Sequence, residues 1–578
     1  MAKKDEKEKP KKKATTPKGK KTTTALRGKA QKKKVPPAVA PEPPAPGMDP
    51  GGPDPSSPPA DLTQQVKDRV RQEAEEHPDP KKAPPEITPK FIADCLFKNE
   101  LGDGELFAAI HRDRFVYNNN AGEWYEWAGH HWRRDIMGTA LSAIEDVTTP
   151  YLERATLLRK EADRVVSGET SGDEKKLRTI SKSFYDRANR LRGDKGRTAC
   201  LKFARTCRDP LAVVGDEFDL DPMLLGVANG VIDLRTGELI DGRQTDYISM
   251  ASSVEWKGID AKCDLWDKSL LEIFDDKPEM VDYQRRLLGY AISGSTKERV
   301  FAAMWGQGWN GKGVIANVIT NILDPLAGPI PSEMLLDQGK SRSSAGPSPD
   351  IMMLRGLRIA FASESDEGRR FSAARVKWFT GSDVLTGRYP HDKMPIRFKP
   401  SHTLFMLTNS KPYAPGGDFA FWERLHLIPF KLSFVKRTPA ANNERQADLD
   451  LEKKLLGEYP GILAWLVRGC LEWQAEGLNP PDIVLDATAE YRSDEDIIGD
   501  FIASSLIIEP GARVKGADLY GQFQTWYIDM IGKKENVPSN SWFGRQMATR
   551  YNKTKISGCV WYHGIGLPGI APAEGVTT

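Results

Sequence analysis

The chain has 578 residues, 83 Lys/Arg against 80 Asp/Glu, a formal net charge of +3 and a mean hydropathy of −0.51. At about 150 residues per domain this length accommodates three or four folded units. It contains no apolar run of about 18 residues, which excludes a spanning helix, and its Lys-bearing start lacks the apolar stretch of a secretory signal. The six cysteines (Cys95, Cys200, Cys207, Cys263, Cys470, Cys559) are scattered without a C-x-x-C. That spacing argues against a zinc ribbon or disulfide framework and sets a reducing cytoplasm as the expected compartment.

The small net charge hides an asymmetry. Residues 1–34 hold 15 Lys/Arg and 3 Asp/Glu, which leaves 68 basic and 77 acidic residues elsewhere, a net of −9. Residues 35–89 hold 16 of the 41 prolines. Residues 1–90 have almost no apolar surface to offset the cost of ordering a backbone, so a disordered basic and then Pro-rich tail is expected. A short helix is possible at 62–76. The tail is either a solubilising leader or a polycation that touches nucleic acid non-specifically.

Residues 91–205 read as a β-meander followed by helices. Short aromatic runs separated by turn residues over 111–135 give the meander. Trp124, Tyr125, Trp127 and Trp132 are assigned to its core in preference to base stacking, and His130–His131 to the surface. Residues 136–208 read as charged helices, 227–239 as strand, Arg-Thr-Gly turn, strand, and 264–290 as helical. Compositional breaks fall near 90, 290 and 490.

The strongest chemical signal is VFAAMWGQGWNGKGVIANVITNIL (300–323). A buried parallel strand, a G-x-x-x-x-G-K loop and a helix follow one another, the context that gives a phosphate loop its meaning. Gly306, Gly308, Asn310, Gly311, Lys312 and Gly313 are the candidate nucleotide contacts. The glycines let backbone N–H groups curl around phosphates, the helix N-terminus adds positive potential, and Lys312 reaches the outer phosphates. The residue after the lysine is Gly313, where a Ser or Thr hydroxyl ordinarily holds Mg²⁺. Further on, LRIAFASESDEG (357–368) is an apolar strand ending in acids; Glu364 and Asp366 are candidates for polarising water or holding Mg²⁺. SHTLFMLTNS (401–410) is another strand, ending in Asn409.

In this order the motifs resemble the superfamily 3 helicases, specifically the phage/plasmid primase–helicase family related to the poxvirus-type enzymes. The resemblance runs over roughly 205–567. It includes FDLDPMLLGVANGVIDLRTGEL, the phosphate-loop segment, ESDEGRRFSAARVKWFTGSDVLTGRYPHDKMPIRFKPSHTLFMLTNSKP, DFAFWERLHLIPF and YPGILAWLVRGCLEWQAEGLNPP. It implies an AAA+-type ATPase core in a hexameric ring, with ATP and Mg²⁺ between subunits and DNA, single-stranded and forked, as the track. By position, Lys312 is the phosphate-loop lysine, Glu364 the acid acting on water, and Asn409 the sensor. Arg424, in Glu423–Arg424 where the family often has Arg-Arg, is the arginine that reaches a neighbour's ATP. Lys377 with Gly381–Ser382–Asp383 matches the motif between acid and sensor. His391 and Lys393, in YPHDKM, fall at the tip of a pore hairpin that grips one DNA strand.

Residues 491–578 read as a winged-helix domain: helices at 495–505, 516–531 and 541–551, then a strand at GCVWYHGIGL. Arg545, Arg550 and Lys553 are its candidate DNA contacts, with Lys555 beside them. Many relatives carry a primase domain in front of the ATPase. Here Asp219 and Asp221 form a D-x-D, but beside a Pro turn without a strand before them, so no primase site is read and a separate primase or polymerase is a possible partner.

The expected fold class is thus α/β: an AAA+-type core with an N-terminal α+β region, a C-terminal winged helix and a disordered N-terminal tail. The expected divisions are 1–90, 91–205, 206–290 (helicase-associated), 291–435 (ATPase core), 436–490 (helical) and 491–578. The expected function is an ATP-driven replicative helicase of a phage, prophage or plasmid, in the bacterial cytoplasm near the nucleoid and without membrane partners. Gly313 favours an alternative: an ATP-binding initiator or loader ring that does not hydrolyse ATP or does not unwind.

Overall fold

In the computed structural model, residues 86–338, 347–363, 369–390, 394–531 and 537–568 are described. The tail expected over 1–90, with its helix at 62–76, lies outside them up to position 85. The first described helix starts at Pro89, where Thr88 Oγ1 accepts from Phe91 N at 3.1 Å and proline occupies the first turn. Both are favourable at a helix start, because one orphan N–H is satisfied and the other is absent.

The meander is present. Phe115–Asn118 pairs antiparallel with Glu123–Trp127, which pairs with Trp132–Arg134. A fourth strand, Ala212–Val213, joins in parallel and was not foreseen; two residues are too few for a period to show. Trp132 is buried, while Trp124, Tyr125 and Trp127 are half-buried, with Trp124 packed on the core. The surface assignment of His130–His131 is corrected. Both residues are half-buried, and burial pushes His131 down to about 4. The His130 backbone packs against Gly242, where a Cβ would lie 2.1 Å from His130 O.

Helices Glu145–Val166, Glu174–Leu191 and Asp194–Ala204 follow the meander. Their core holds one buried ion pair: Arg187 Nε lies 3.0 Å from Asp103 Oδ1, to which Tyr151 OH donates at 3.1 Å.

Next come the antiparallel strands Leu224–Val227, Gly230–Asp233 and Glu238–Ile240, with the Arg-Thr-Gly turn as expected. Asp219 and Asp221 are structural here. Asp219 accepts from Ser249 N at 2.8 Å, and Asp221 is held by Arg235 at 2.7 Å. Helices Asp264–Ile273 and Pro278–Ile292 then lead into the central sheet.

That sheet has five parallel strands: β1 (Phe301–Trp305), β2 (Ala327–Pro331), β3 (Ile359–Ser363), β4 (Thr403–Thr408) and β5 (Leu425–Pro429). Their order is β5-β1-β4-β3-β2. Parallel strands need crossovers that cover both faces, so the strands are mostly apolar, with Ser363, Thr403, Thr408 and His426 as their polar members. Alternate residues serve two cores: Ala302, Met304, Phe361 and Phe405 on one face, Phe301, Ala303, Ala360 and Met406 on the other.

Arg358, one residue before β3 and 6% exposed, ties this sheet to the preceding region. Its guanidinium donates to the carbonyls of Pro222, Ser293 (2.6 Å) and Leu224 (3.0 Å).

After β5, short parallel strands Ser433–Val435 and Glu444–Gln446 precede helices Leu451–Leu455, Tyr459–Glu476 and Asp482–Asp494. The start of 436–490 is therefore extended, not helical. The divisions at 290 and 490 fall inside helices Pro278–Ile292 and Asp482–Asp494, whose Tyr290 and Tyr491 belong to the two cores of the sheet.

The C-terminal part runs helix Ile497–Ser505, strand Ile507–Lys515, helices Gly516–Ile531 and Asn540–Ala548, then strands Lys553–Ile556 and Cys559–Gly566. Cys559–Gly566 is the central strand of the three, and Phe501, Phe523, Phe543 and Tyr562 form a separate core. Strand Ile507–Lys515 was not foreseen. Pro510–Gly511 interrupts its pattern and the register shifts between Ile508 and Arg513. Proline and glycine inside a run argue against a strand unless a bulge absorbs them.

Candidate functional site

The site is built at the carboxyl edge of the sheet. Gly306 follows β1 directly, and Gly311 caps the helix α1 (Lys312–Leu323). The two glycines are required by close approach. A Cβ at 306 would lie 2.2 Å from Phe430 O, and one at 311 would lie 2.6 Å from Ile273 Cδ1. Gly311 also has φ +88°, a conformation that favours glycine. Trp309 adopts φ +63°, uncommon for a bulky residue. Its exposed ring carries Lys436 Nζ at 4.8 Å from the centroid. By contrast, a Cβ at Gly308 or Gly313 meets no heavy atom within 4 Å.

Lys312 is 6% exposed. Its Nζ donates to Gly306 O and lies 3.3 Å from Asn409 Oδ1. Burial pushes its pKa down to about 8. Asn310 is 3% exposed, and its Nδ2 is buried without a hydrogen-bond partner. A phosphate group fits what these residues lack: anionic oxygen for a desolvated ammonium and an acceptor for an orphan amide. For Mg²⁺ the fit is poorer, since Gly313 has no hydroxyl. No group of three or more His, Cys, Asp or Glu suited to a metal occurs among the described residues.

Asn409 is one residue past β4, and β4 lies beside β1. The register sets Met304, Leu407 and Ser363 in one row across β1, β4 and β3. Ser363 is therefore about 10 Å from β1 at ordinary strand spacing. Glu364 and Asp366 follow it, outside the described residues.

Arg424 is at the opposite end of the sheet. Its carbonyl accepts from Phe301 N at 2.7 Å, so it stands beside the start of β1, about 16 Å along the strand from the phosphate loop. Its Nη1 donates to Ala420 O at 2.5 Å, and its Nε is buried without a partner. Asp418, not singled out in the sequence, anchors the same turn. It accepts from Phe421 N at 3.1 Å and pairs with Lys377 at 2.6 Å. An Asp ahead of an apolar helical turn is the signal that marks it.

His391 and Lys393 lie outside the described residues, but their hairpin is present. Strands Leu385–Gly387 and Ile396–Phe398 pair antiparallel, and Met394 beside the tip is 73% exposed. The hairpin runs within a few residues into β4, whose far end carries Asn409.

In the C-terminal part the predicted contacts separate. Arg545 is exposed on helix Asn540–Ala548, and Lys553 is exposed at the start of its strand. Arg550 is engaged internally, 2.6 Å from Asp496. Asp496 also caps helix Ile497–Ser505 through Gly499 N at 3.0 Å.

Residues 104–275 match the family described as D5 N terminal like. The match begins about a hundred residues before the resemblance read from motifs, and it spans the division drawn at 205. A "Putative helicase" of Acanthamoeba polyphaga mimivirus is 28% identical over 471 residues, covering 77% of this chain and 47% of that protein. A "Putative primase" of African swine fever virus is 22% identical over 372 residues, covering 60% of this chain and 38% of its own. The chain thus spans about half or less of the length of these relatives. Among solved structures, an apo structure of the NrS-1 C terminal region is 12% identical with a TM-score of 0.31, covering 53% of this chain and 78% of that one, a likeness too distant to carry a structural argument. No described helix is long and apolar enough to cross a membrane. The chain is a relative of viral proteins named as helicases and primases, in line with the primase–helicase resemblance of its motifs, and carries a D5 N terminal like region over residues 104–275.

Proposed function

We propose that this chain is the motor of a replicative DNA helicase, an AAA+-type ATPase that works as a ring, hexameric by its family resemblance. The observation that carries the reading is the phosphate loop: a buried Lys312 between Gly306 O and Asn409 Oδ1, with an unsatisfied Asn310 amide, at the carboxyl edge of a parallel sheet. Lys312 and the loop's N–H groups would hold the phosphates of ATP. Asn409 would orient water, and Glu364 would accept its proton. Mg²⁺, where bound, would neutralise charge on the phosphates. Because Gly313 offers it no hydroxyl, water and acids at 364 and 366 are left to hold it.

The placement of Arg424 supports action between subunits. It is too far from the loop of its own chain to touch the same nucleotide, so an arginine serving catalysis must serve a neighbour's. The hairpin at 385–398 joins β4, and β4 ends at the residue touching Lys312. A change at the phosphates therefore has a short covalent route to the segment that would carry His391 and Lys393 to a DNA strand. The order helix, strand, two helices and a two-stranded hairpin at 497–566 supports a winged helix as a second DNA contact, through Arg545 and Lys553.

Two measurements test this. Strand displacement on a forked substrate should require ATP and be lost in Lys312→Ala. Mixing Lys312→Ala with Arg424→Ala chains should restore ATP turnover, because some mixed interfaces pair an intact loop with an intact arginine. Turnover absent from the wild type, with ATP still bound, would favour the initiator or loader reading that Gly313 suggests.

A further inference from the structure

A second region is electrostatically unusual. Residues 186–208 hold eight Lys/Arg and two Asp/Glu, in a chain whose residues after 34 sum to −9. Arg187 is used inside the core on Asp103, and Arg192 pairs with Glu145. Arg205 lies over the Tyr117 ring at 4.5 Å. Lys195, Lys202 and Arg208 are exposed and have no ion pair among the described residues.

Helical spacing organises them. Lys195, Thr198 and Lys202 stand at i, i+3 and i+7 on helix Asp194–Ala204, one exposed face, with Arg208 just beyond its end. The opposite face, with Cys200 and Ala204, is buried. Nearby acids are already engaged: Glu145 by Arg192, Asp209 by Arg112 at 2.8 Å, and Glu105 by Lys98 at 2.6 Å. The segment's own acids, Asp186 and Asp194, are exposed and form no ion pair with these cations among the described residues, and eight Lys/Arg outnumber them.

We propose that this face, within the D5 N terminal like region, binds the phosphate backbone of a nucleic acid. The proposal names a surface apart from the hairpin and the C-terminal part, and its choice of partner rests on the helicase reading. The case is charge complementarity: two exposed, unpaired lysines on one helix face with Arg208 beyond its end, cations of the kind that position a protein on a phosphate backbone without reading sequence. Such contacts act by releasing counterions, which gives them a measurable signature in salt.

The test is fluorescence anisotropy of the full chain, without nucleotide, on labelled duplex and single-stranded oligonucleotides over a salt series. The triple variant Lys195→Ala, Lys202→Ala, Arg208→Ala should bind at least about tenfold more weakly at low salt, with the duplex salt slope reduced by about 2.7, or about 2.1 on a single strand. The two arms tell which form the face holds. Lys195→Arg with Lys202→Arg should keep wild-type binding, which separates charge from fold, and DNA-free ATP turnover should be unchanged in the triple variant. Wild-type affinity and slope in the triple variant would overturn the proposal and leave the helicase reading standing. A wild type that binds neither oligonucleotide would overturn the proposal; the helicase reading would fall with it only if strand displacement with ATP were absent as well.

Discussion

Lys312 in the candidate phosphate loop and Arg550 in the C-terminal part are both basic residues that the sequence marks as contacts, yet the fold treats them differently. Lys312 is buried against a backbone carbonyl and an amide, with no carboxylate paired to it among the described residues and its pKa pushed down to about 8. Arg550 is matched by Asp496 at 2.6 Å. A cation left unneutralised in a desolvated place is unfavourable for folding and therefore points to an external anion. A cation already paired at the surface points to nothing beyond its partner.

This contrast can be broken in several ways. The largest effect is expected in the loop's closed glycines. Gly311→Val combines a strained φ with a clash on Ile273 and should abolish nucleotide binding, while Gly308→Ala, facing open space, should retain it. Isothermal titration with a non-hydrolysable nucleotide measures both, and equal behaviour would contradict the cradle.

Next comes Arg358→Met. It leaves the carbonyls of Pro222, Leu224 and Ser293 without their donor and should cost about 3 kcal/mol or more in denaturant unfolding. A cost below about 1 kcal/mol would mean that water replaces the guanidinium.

Gly313→Thr is expected to be a gain. The position is open, and the new hydroxyl would lie where Mg²⁺ is ordinarily held. Mg²⁺ should then support turnover at a several-fold lower concentration, and a fall in turnover would show that glycine is required there.

Lys312→Met should be at least as stable as wild type at pH 7 in thermal melts without nucleotide. The folded-state pKa, about 8, is below the ordinary 10.5, so folding disfavours the ammonium. That penalty is complete below pH 8 and fades as pH rises toward 10.5, where the wild type should gain on the variant. The smallest effect separates the two C-terminal residues. Arg550→Ala should cost stability of up to about 1 kcal/mol, whereas Lys553→Ala should change only DNA affinity.

What was legible in the sequence follows from how local each signal is. The strand, glycine loop and helix around Lys312 were readable because they are contiguous, and the place of Asn409 because it closes an apolar run. The meander, the charged helices and the Arg-Thr-Gly turn likewise rest on short-range periodicity. The Ile507–Lys515 strand was not readable, since Pro510–Gly511 erases its alternation and its pairing partner lies some fifty residues on. Arg358 gave no signal at all. A single arginine before a strand looks ordinary until three distant carbonyls converge on it. The engagement of Arg550 depends on Asp496, a tertiary contact that helix composition cannot show.

The most direct test of the central claim is steady-state ATP hydrolysis with Mg²⁺, with and without single-stranded DNA, for wild type and Lys312→Ala. Turnover in the wild type that DNA stimulates and the substitution abolishes is the expected result. A folded wild type that binds ATP but does not hydrolyse it, with or without DNA, would contradict the motor reading.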